Sequence, residues 1–342
     1  MRARMRAKTR AETRAEALSE ADAWRGAQPV REPVPEPALK PVLKPVLEPF
    51  PEPFPEPFLD AHIHLFDPRR AGGIPWPAPE DEALYRPALP ERYAALARPL
   101  GVSAAIAVEA SPRANDNQWL LEVAGQHPMV AGVVASLDPA EADFPRELER
   151  LRAWPLLVGI RSGNLWGRDL AQAAGDARTG ERVREHLRLL AGFGLALDVA
   201  NPDFPLLEAV LRIAAWVPEL RIVVDHLPAM RVVQTERLRW SRLLAEMGQC
   251  RNLFAKLSEI PQRVGERVPG EAEFYRPMLE AILAGLGEDR LIFGSDWPNS
   301  DRWLPFEPTF ALARACVDGL SPQALRKIFW SNGLRAYRRG CA

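Results

Sequence analysis

The sequence predicts an α/β fold, a (β/α)8 TIM barrel with a disordered proline-rich N-terminal extension. From residue 59 onward, short apolar runs rich in β-branched side chains alternate with longer stretches of helical periodicity. The runs number eight. Because strand–helix alternation implies parallel strands joined by helical crossovers, eight such units can close a barrel. A doubly wound open sheet is the alternative, but no Gly-x-Gly-x-x-Gly loop follows any of the runs.

The extension differs in composition from the rest of the chain. Residues 1–27 are rich in Arg, Ala and Glu, and residues 28–57 carry proline every two to four positions. Proline removes backbone donors and favours polyproline II, so we expect a semi-rigid spacer or a disordered tail. Docking to a proline-binding partner and translation from a downstream start are the alternatives. The predicted domains are therefore an extension over 1–57 and a barrel over 58–342.

The barrel elements follow in order from residue 58. The first strand is the apolar run that carries two histidines, and later strands have cores such as Ala-Ile-Ala-Val, Ile-Val-Val and Leu-Ile-Phe, which suit buried parallel strands. The predicted strands are 58–64, 104–109, 130–136, 156–161, 195–199, 221–226, 252–257 and 291–295. Apolar residues at helical spacing predict helices over 90–100, 117–126, 181–192, 206–216, 236–247, 273–286 and 306–317.

Composition limits the class of function. The 342 residues carry a net charge of −1 at pH 7, so electrostatics gives no reason to expect nucleic acid or a membrane as a partner. Three cysteines without paired spacing argue against a disulfide framework and a cysteine metal site. No apolar run is long enough to span a bilayer, and the basic N-terminus lacks the apolar region of a secretory signal. We therefore expect a cytoplasmic protein that acts on a small molecule, and leave an oligomer open.

An Asp-x-His-x-His motif ends the first predicted strand. Residues two apart in a strand face the same side, so His62 and His64 can hold one metal ion or one substrate group. Asp60 could face the same site or have a structural role at the floor of the barrel. Near the other end of the chain, Asp296 closely follows the run Leu-Ile-Phe, and imidazole and carboxylate are ligands of zinc-like sites. The alternative is a pair of solvated histidines at a strand end.

Polar side chains stand at most of the predicted strand ends, and the C-terminal strand ends of a barrel converge on one mouth. Asp225 precedes the histidine of the sixth strand, and because neighbouring strand residues face opposite sides, we expect it to point away from His226. Each group in the set could instead be solvated, cap a helix or form a structural ion pair. Besides the two histidines of the first strand, the set comprises Glu109, Arg161, Asp198, His226, Lys256 and Asp296.

Four tryptophans lie in the predicted loops of the same rim. Trp76 belongs to the long first loop over 66–89, and Trp166, Trp297 and Trp303 fall in later loops. Long loops in compact domains are often functional, so these rings could wall a pocket for a ring-shaped substrate. Ordinary packing over the mouth is the alternative.

Six stretches together carry a family resemblance. They are Leu-Asp-Ala-His-Ile-His-Leu-Phe-Asp-Pro, Val-Gly-Ile-Arg, Val-Val-Asp-His-Leu, Ala-Lys-Leu-Ser, Ile-Phe-Gly-Ser-Asp-Trp-Pro and Ile-Phe-Trp-Ser-Asn-Gly-Leu-Arg-Ala-Tyr, and they run from residue 59 to residue 337. The chain resembles the amidohydrolase superfamily. Within it, the motifs are similar to the lactonase-like branch of TIM-barrel metal-dependent hydrolases, which includes sugar-acid lactonases and 2-pyrone-4,6-dicarboxylate lactonase.

The resemblance implies a set of metal ligands. His62, His64, His226 and Asp296 match the superfamily's ligand positions or their metal-free equivalents. Two-metal members carry a bridging carboxylated lysine after the fourth strand, where this chain has Arg161. The resemblance therefore implies one divalent ion, with zinc as the first candidate, or none.

The implied chemistry is the opening of a lactone of a sugar acid or a carboxylated small molecule. Asp296 would act as general base on water with His226, and Arg161 would stabilise the oxyanion or hold a substrate carboxylate. Further predicted contacts to the substrate are Lys256, Glu109, Asp198, Trp76 and Trp297. A non-oxidative decarboxylase of the same superfamily and a catalytically silent binding protein are the alternatives.

Overall fold

The structure is a computed structural model that describes residues 57–338. Except for Pro57, the extension predicted over 1–57 lies outside the described residues. The described chain forms an eight-stranded parallel sheet whose strands are neighbours in chain order, so the predicted (β/α)8 barrel is confirmed. The strands are β1 Phe58–His64, β2 Val102–Val108, β3 Val130–Ser136, β4 Leu157–Gly163, β5 Ala196–Ala200, β6 Arg221–Val224, β7 Leu253–Leu257 and β8 Leu291–Phe293.

Hydrogen bonds between β1 and the segment after β8 close the barrel. The amide of Asp296 donates to the carbonyl of His62 at 2.9 Å, and the amide of His64 donates to the carbonyl of Trp297 at 2.7 Å. Ile63 and Trp297 form a parallel bridge at the same place. Because this seam joins the first strand to the last, it brings the histidine motif and the carboxylate motif together.

Helices surround the barrel, and all seven predicted helices are present with small shifts at their ends. Residues 57–338 contain four further helices that are not among the predicted ones: α3 Phe144–Arg152, α4 Leu170–Gly175, α10 Pro322–Arg326 and α11 Asn332–Tyr337. Most of the residues of α3 are charged, and its buried side chains are Phe144, Leu148 and Leu151. The helices are α1 Pro90–Ala97, α2 Ala114–Gly125, α3 Phe144–Arg152, α4 Leu170–Gly175, α5 Gly180–Gly192, α6 Phe204–Trp216, α7 Arg237–Gln249, α8 Ala272–Leu286, α9 Phe306–Ala315, α10 Pro322–Arg326 and α11 Asn332–Tyr337.

Most of the hydrophobic core lies between the strands and these helices. The strand residues Leu197 and Ile222 belong to the same buried cluster as Leu187 of α5, Val210 of α6 and Leu244 of α7. Full burial of such a side chain stabilises the fold by about 1.5–3 kcal/mol. The alternating strands and helices of the sequence therefore fold as one layered unit. Within residues 57–338, no helix has both the length and the apolar character needed to cross a membrane.

A smaller apolar cluster fills the barrel interior. Leu59, Val223 and Phe254 belong to it together with Tyr337 of α11. A Cβ atom added to Gly333 would lie only 2.6 Å from Leu59 Cδ2, so α11 packs tightly against the start of β1. The C-terminal helix thus closes the N-terminal end of the barrel, which leaves the opposite end for the polar residues.

Candidate active site

β1 carries two buried histidines whose rings meet at the barrel mouth. His62 Nε2 and His64 Nε2 are 3.2 Å apart, and the register between β1 and β2 is irregular between Asp60 and Ile63. His64 Nδ1 donates a hydrogen bond to the carbonyl of Val108 at 3.0 Å. This bond orients the ring so that the Nε2 atom of His64 faces the site.

Asp296 lies beside both histidines. It follows β8 with a φ of 59°, a left-handed conformation that costs roughly 1–3 kcal/mol and is concentrated at functional sites. Its Oδ1 is 3.2 Å from His64 Nε2 and 3.6 Å from His62 Nε2, and its Oδ2 accepts a hydrogen bond from Asn299 at 2.6 Å. Burial alone would raise the pKa of Asp296, but His226 and the contact with His64 lower it below its usual value. The carboxylate is therefore held ionised.

Asp225 and His226 both turn into the mouth. β6 ends at Val224, and His226 takes a φ of 51°. His226 Nε2 lies 3.9 Å from Asp296 Oδ1, and Asp225 Oδ1 lies 3.6 Å from His62 Nδ1. The prediction that Asp225 points away from the histidine is wrong, because the left-handed turn at His226 breaks the strand alternation on which it depends.

The atoms at the centre have the spacing of a single metal site. The Nε2 atoms of His62, His64 and His226 lie 3.6, 3.2 and 3.9 Å from Asp296 Oδ1, and tetrahedral zinc ligands are about 3.3 Å from one another. Asp296 Oδ1 is buried and has no hydrogen-bond partner. His62, His226 and Asp296 also form a cluster of metal-ligating groups within 4.8 Å of one another. The donor set fits one divalent ion.

Lys256, Asp198 and Asp225 form a buried ion cluster beneath His62. Lys256 Nζ lies 2.6 Å from Asp198 Oδ2 and 2.9 Å from Asp225 Oδ1. Tyr337 donates a hydrogen bond to Asp198 Oδ2 at 2.8 Å. Lys256 and Asp198 are 0 % exposed, and their partners here are the groups of the cluster; the substrate contacts predicted for them stay predictions.

The same burial acts differently on the two carboxylates of this cluster. Burial raises the pKa of Asp198 to about 6, although Lys256 pulls it down. Burial also opposes ionisation of Asp225, but the cations Lys256 and Arg161 outweigh it and lower the pKa of Asp225 well below its usual value. Burial, with Lys256 second, lowers the pKa of His62 well below its usual value, so the imidazole is neutral.

Arg161 stands at the end of β4 between two carboxylates. Its Nε lies 3.0 Å from Glu109 Oε1, and its Nη1 lies 3.6 Å from Asp225 Oδ2 and 3.3 Å from His62 Nε2. Trp166 donates from Nε1 to both oxygens of Glu109, at 3.2 and 3.1 Å. Burial alone would lower the pKa of Arg161, but Glu109 and Asp225 raise it. The guanidinium thus lies at the histidine cluster, with its charge already compensated.

The four tryptophans of the rim occupy different places. The ring of Trp76 is 5.5 Å from that of His64 and stands at the mouth, and Trp303 is partly exposed. Trp297 is 0 % exposed and packs against Tyr93 of α1, with ring centroids 5.3 Å apart. The structure therefore places Trp76 beside the site and Trp297 between the barrel and α1; the substrate contact predicted for Trp297 stays a prediction.

Two side chains that are not among the predicted site residues also line the mouth. Asn299 Nδ2, which donates to Asp296, lies 3.4 Å from Glu259 Oε1. Glu259 Oε1 is 3.9 Å from His226 Nδ1, and the residue has a φ of 52°. Burial raises the pKa of Glu259, opposed by His226 and reinforced by Asp296. Their positions just past β7 and β8 are the sequence signal that could have identified them.

Asp60 fastens β1 to the segment after β8 behind the histidines. Its Oδ1 accepts from the amides of His62 at 3.1 Å and Ser295 at 2.8 Å, and its Oδ2 accepts from the Tyr93 hydroxyl at 2.8 Å. The carboxylate therefore faces α1 and not the mouth. Of the two alternatives for Asp60, the structure supports the structural one.

Comparison with known proteins identifies relatives that cover nearly the whole barrel. The amidohydrolase family model matches residues 59–339. The L-fucono-1,5-lactonase of Burkholderia ambifaria is 29% identical over 286 residues, which are 82% of this chain and 95% of the relative. The L-fucono-1,5-lactonase of Burkholderia multivorans is 26% identical over 292 residues, with 80% and 92% covered.

A solved structure shares the fold. The crystal structure of an amidohydrolase from Burkholderia multivorans with bound zinc matches with a TM-score of 0.70 at 23% sequence identity. The match covers 83% of this chain and 100% of that one. This likeness supports the barrel architecture from β1 to the C-terminal helices.

Proposed function

Because the chain belongs to the amidohydrolase family, as its motifs predict, we propose that it is a hydrolase that opens the lactone ring of a sugar acid. The observation that carries the proposal is the Oδ1 atom of Asp296. This buried oxygen has no hydrogen-bond partner and faces the Nε2 atoms of three histidines. Such a carboxylate is suited to accept a proton from a water molecule at the mouth of the barrel. The relatives named as lactonases support the choice of a lactone.

Asp296 would act as general base in this reaction. The water oxygen attacks the lactone carbonyl carbon while its proton passes to Asp296 Oδ1, and the acyl–oxygen bond of the ring then breaks. His226 Nε2, 3.9 Å from Asp296 Oδ1, would relay the proton that Asp296 has accepted to the departing ring oxygen, which becomes a hydroxyl. Asn299 holds Oδ2 of Asp296 at 2.6 Å, so Oδ1 alone stays available for the water. Arg161 would stabilise the oxyanion that develops on the carbonyl oxygen.

The donor set also supports a divalent ion, for which zinc is our candidate. His64, His226 and Asp296 would hold it, with His62 as a fourth contact, and it would polarise the carbonyl and lower the pKa of a bound water. A neighbour of the same fold was crystallised with bound zinc.

Charge at the mouth favours an uncharged lactone over a carboxylated one. The carboxylates of Glu109, Glu259 and Asp296 lie around it, and the charge of Arg161 is compensated by Glu109. A carboxylate 4 Å from another costs about 1–4 kcal/mol at effective dielectric constants between those of water and a protein surface. A neutral sugar lactone avoids this cost, so it is our proposed substrate.

The proposal is tested by acid release from a panel of neutral sugar lactones and carboxylated lactones, with and without a chelator. We expect turnover of a neutral sugar lactone, and a loss of at least 100-fold in kcat for Asp296→Asn. Asp203→Asn is the matched control, because Asp203 caps α6 by accepting from the amide of Leu206 and Asn is an equally good cap. That control should keep full activity.

The outcomes separate the proposal from its rivals. Near-normal turnover by Asp296→Asn would remove Asp296 as the base. Release of carbon dioxide, with no acid from any lactone, would replace the lactonase with a decarboxylase. If the chelator abolishes turnover and added zinc restores it, the ion takes part in the reaction.

A further inference from the structure

We propose that Glu259 is a specificity-determining residue whose carboxyl group accepts a hydrogen bond from a ring hydroxyl of the sugar lactone. The part of this inference that concerns turnover rests on the proposed function, but the binding of a lactam tests it without any reaction. Glu259 lies just past β7 at the mouth of the barrel. It belongs neither to the metal-ligating cluster at the centre nor to the buried ion cluster beneath it.

The backbone holds the side chain of Glu259 at the mouth in an unfavourable conformation. Its φ is 52°, in the left-handed region that glycine adopts freely and that strains a residue with a Cβ atom. Strain of this kind persists where the surrounding structure enforces it, and it is concentrated at ligand sites. A glycine would satisfy this backbone without strain. The turn after β7 therefore does not by itself account for a glutamate at this position.

The carboxyl group of Glu259 has an acceptor available for a ligand. Its Oε1 lies 3.4 Å from Asn299 Nδ2 and 3.9 Å from His226 Nδ1. Within residues 57–338, no protein group donates to its Oε2, and no lysine or arginine forms an ion pair with the residue. The side chain is 30 % exposed, so a molecule at the mouth can reach it. A carboxyl oxygen accepts hydrogen bonds from hydroxyl groups, and the hydroxyls of a sugar lactone supply such donors.

Glu109, which also stands at the mouth, lacks this capacity. Its Oε1 lies 3.0 Å from Arg161 Nε, and both of its oxygens accept from Trp166 Nε1. Its Oε2 accepts in addition from the amide of Ser111 at 2.8 Å, and the residue is only 2 % exposed. A substrate hydroxyl would have to displace one of these partners from Glu109, whereas Glu259 Oε2 can accept it directly.

Glu259 is near enough to Asp296 to contact the same substrate molecule. One amide nitrogen, Asn299 Nδ2, lies 2.6 Å from Asp296 Oδ2 and 3.4 Å from Glu259 Oε1. A lactone whose carbonyl carbon is attacked by the water of Asp296 therefore brings the hydroxyls of its ring close to Glu259. Glu259 lies on the Nδ1 side of His226, whereas the Nε2 atom of that ring faces Asp296 Oδ1. The residue is thus placed to bind substrate and not to complete the donor set of an ion.

The first experiment compares two substrates in the full chain: the neutral 1,5-sugar lactone that the wild type hydrolyses best, and δ-valerolactone, which has the same ring without hydroxyls. Glu259→Gln should lower kcat/KM on the sugar lactone about 10- to 100-fold, the range for a hydrogen bond to a charged group, and leave δ-valerolactone unaffected. Glu280→Gln is the matched control, because Glu280 is exposed on α8, and it should change neither rate. An equal loss on both lactones would mean that Glu259 acts through Asp296 or an ion, and it would overturn the proposal, as would no loss on either.

Glu259→Gly separates substrate recognition from a structural role. The glycine removes the carboxyl group and relieves the left-handed backbone, so the urea midpoint should not fall although the preference for the hydroxylated lactone is lost. A structural role predicts the reverse. A lower urea midpoint in a variant that keeps the wild-type preference would overturn the proposal.

Calorimetric binding of lactams, which are not turned over, separates this proposal from the proposed function. The probes are the 1,5-lactam of gluconic acid and δ-valerolactam, which has no hydroxyls. The wild type should bind the hydroxylated lactam at least about 10-fold more tightly, and both Glu259 variants should lose this preference. If the wild type shows the preference but hydrolyses no lactone, the proposed function fails while the role of Glu259 is supported. No preference in the wild type, or an undiminished one in Glu259→Gly, would overturn the role of Glu259.

Discussion

Gly294 sets the separation between the last strand and His62, and its replacement tests how closely the site depends on the barrel seam. A Cβ at this position would lie 2.7 Å from His62 Cβ, 3.4 Å from His62 N and 3.5 Å from Ser258 Cβ. Ordinary contacts between carbon atoms are about 3.5–4.0 Å. Gly294→Ala therefore forces His62 and the segment after β8 apart by about 1 Å.

Two magnitudes follow from this displacement. Overpacking of a tight core costs about 1–3 kcal/mol of stability, and a misplacement of 1 Å in a catalytic group can cost about 100-fold in rate. We expect Gly294→Ala to be both less stable and less active than the wild type. Asp296 follows Gly294 by two residues, and the amide of Asp296 donates to the carbonyl of His62, so the displacement reaches the catalytic carboxylate.

The measurements are urea unfolding and kcat/KM on the best lactone of the panel. Gly192→Ala is the matched control: Gly192 ends α5, is exposed, and has no atom within 4 Å of an added Cβ. It should keep full activity and gain up to about 1 kcal/mol from helix propensity. Wild-type stability and activity in Gly294→Ala would refute the claim that this seam holds His62 in place.

Two further predictions concern buried carboxylates. Burial raises the pKa of Asp60 from 3.8 to about 6, against opposing hydrogen bonds that include Tyr93 and Ser295. Protonated Asp60 is therefore favoured in the folded state, and this contribution to stability is present below about pH 4 and lost as the pH rises through 6. The free energy of unfolding of Asp60→Asn, relative to wild type, should be about 3 kcal/mol higher at pH 8 than at pH 4. Urea unfolding at both pH values measures this, and an equal difference at the two would contradict it. Tyr337→Phe removes the hydroxyl that donates to Asp198 and should cost about 1.5–3 kcal/mol of unfolding free energy; an unchanged urea midpoint would show that this bond does not stabilise the barrel floor.

The fold and the centre of the site could be predicted from the sequence because both depend on local periodicity. Alternating apolar strands and amphipathic helices impose a parallel sheet, and the ends of parallel strands share one edge. His62, His64 and Asp296 stand at such ends, so their convergence follows from the fold. The one-residue irregularity in β1 changes the pairing with β2 but does not separate the two rings.

Other parts of the site could not be predicted, since they depend on backbone turns and long-range packing. Three site residues have left-handed backbones, which strand alternation does not predict: His226, Glu259 and Asp296. The turn at His226 is the reason why the orientation of Asp225 could not be predicted. The burial of Lys256 depends on α11, which closes the barrel floor and brings Tyr337 to Asp198. No local pattern links that helix to β5.

Hydrolysis in water enriched in ¹⁸O is the most direct test of the central claim, that water activated by Asp296 attacks a lactone carbonyl. The product of a turned-over sugar lactone would be analysed by mass spectrometry for the position of the label. We predict one ¹⁸O atom in the carboxylate of the product, formed by the wild type and not by Asp296→Asn above the uncatalysed rate. A label in the hydroxyl, or equal labelling of the carboxylate by Asp296→Asn, would contradict the mechanism.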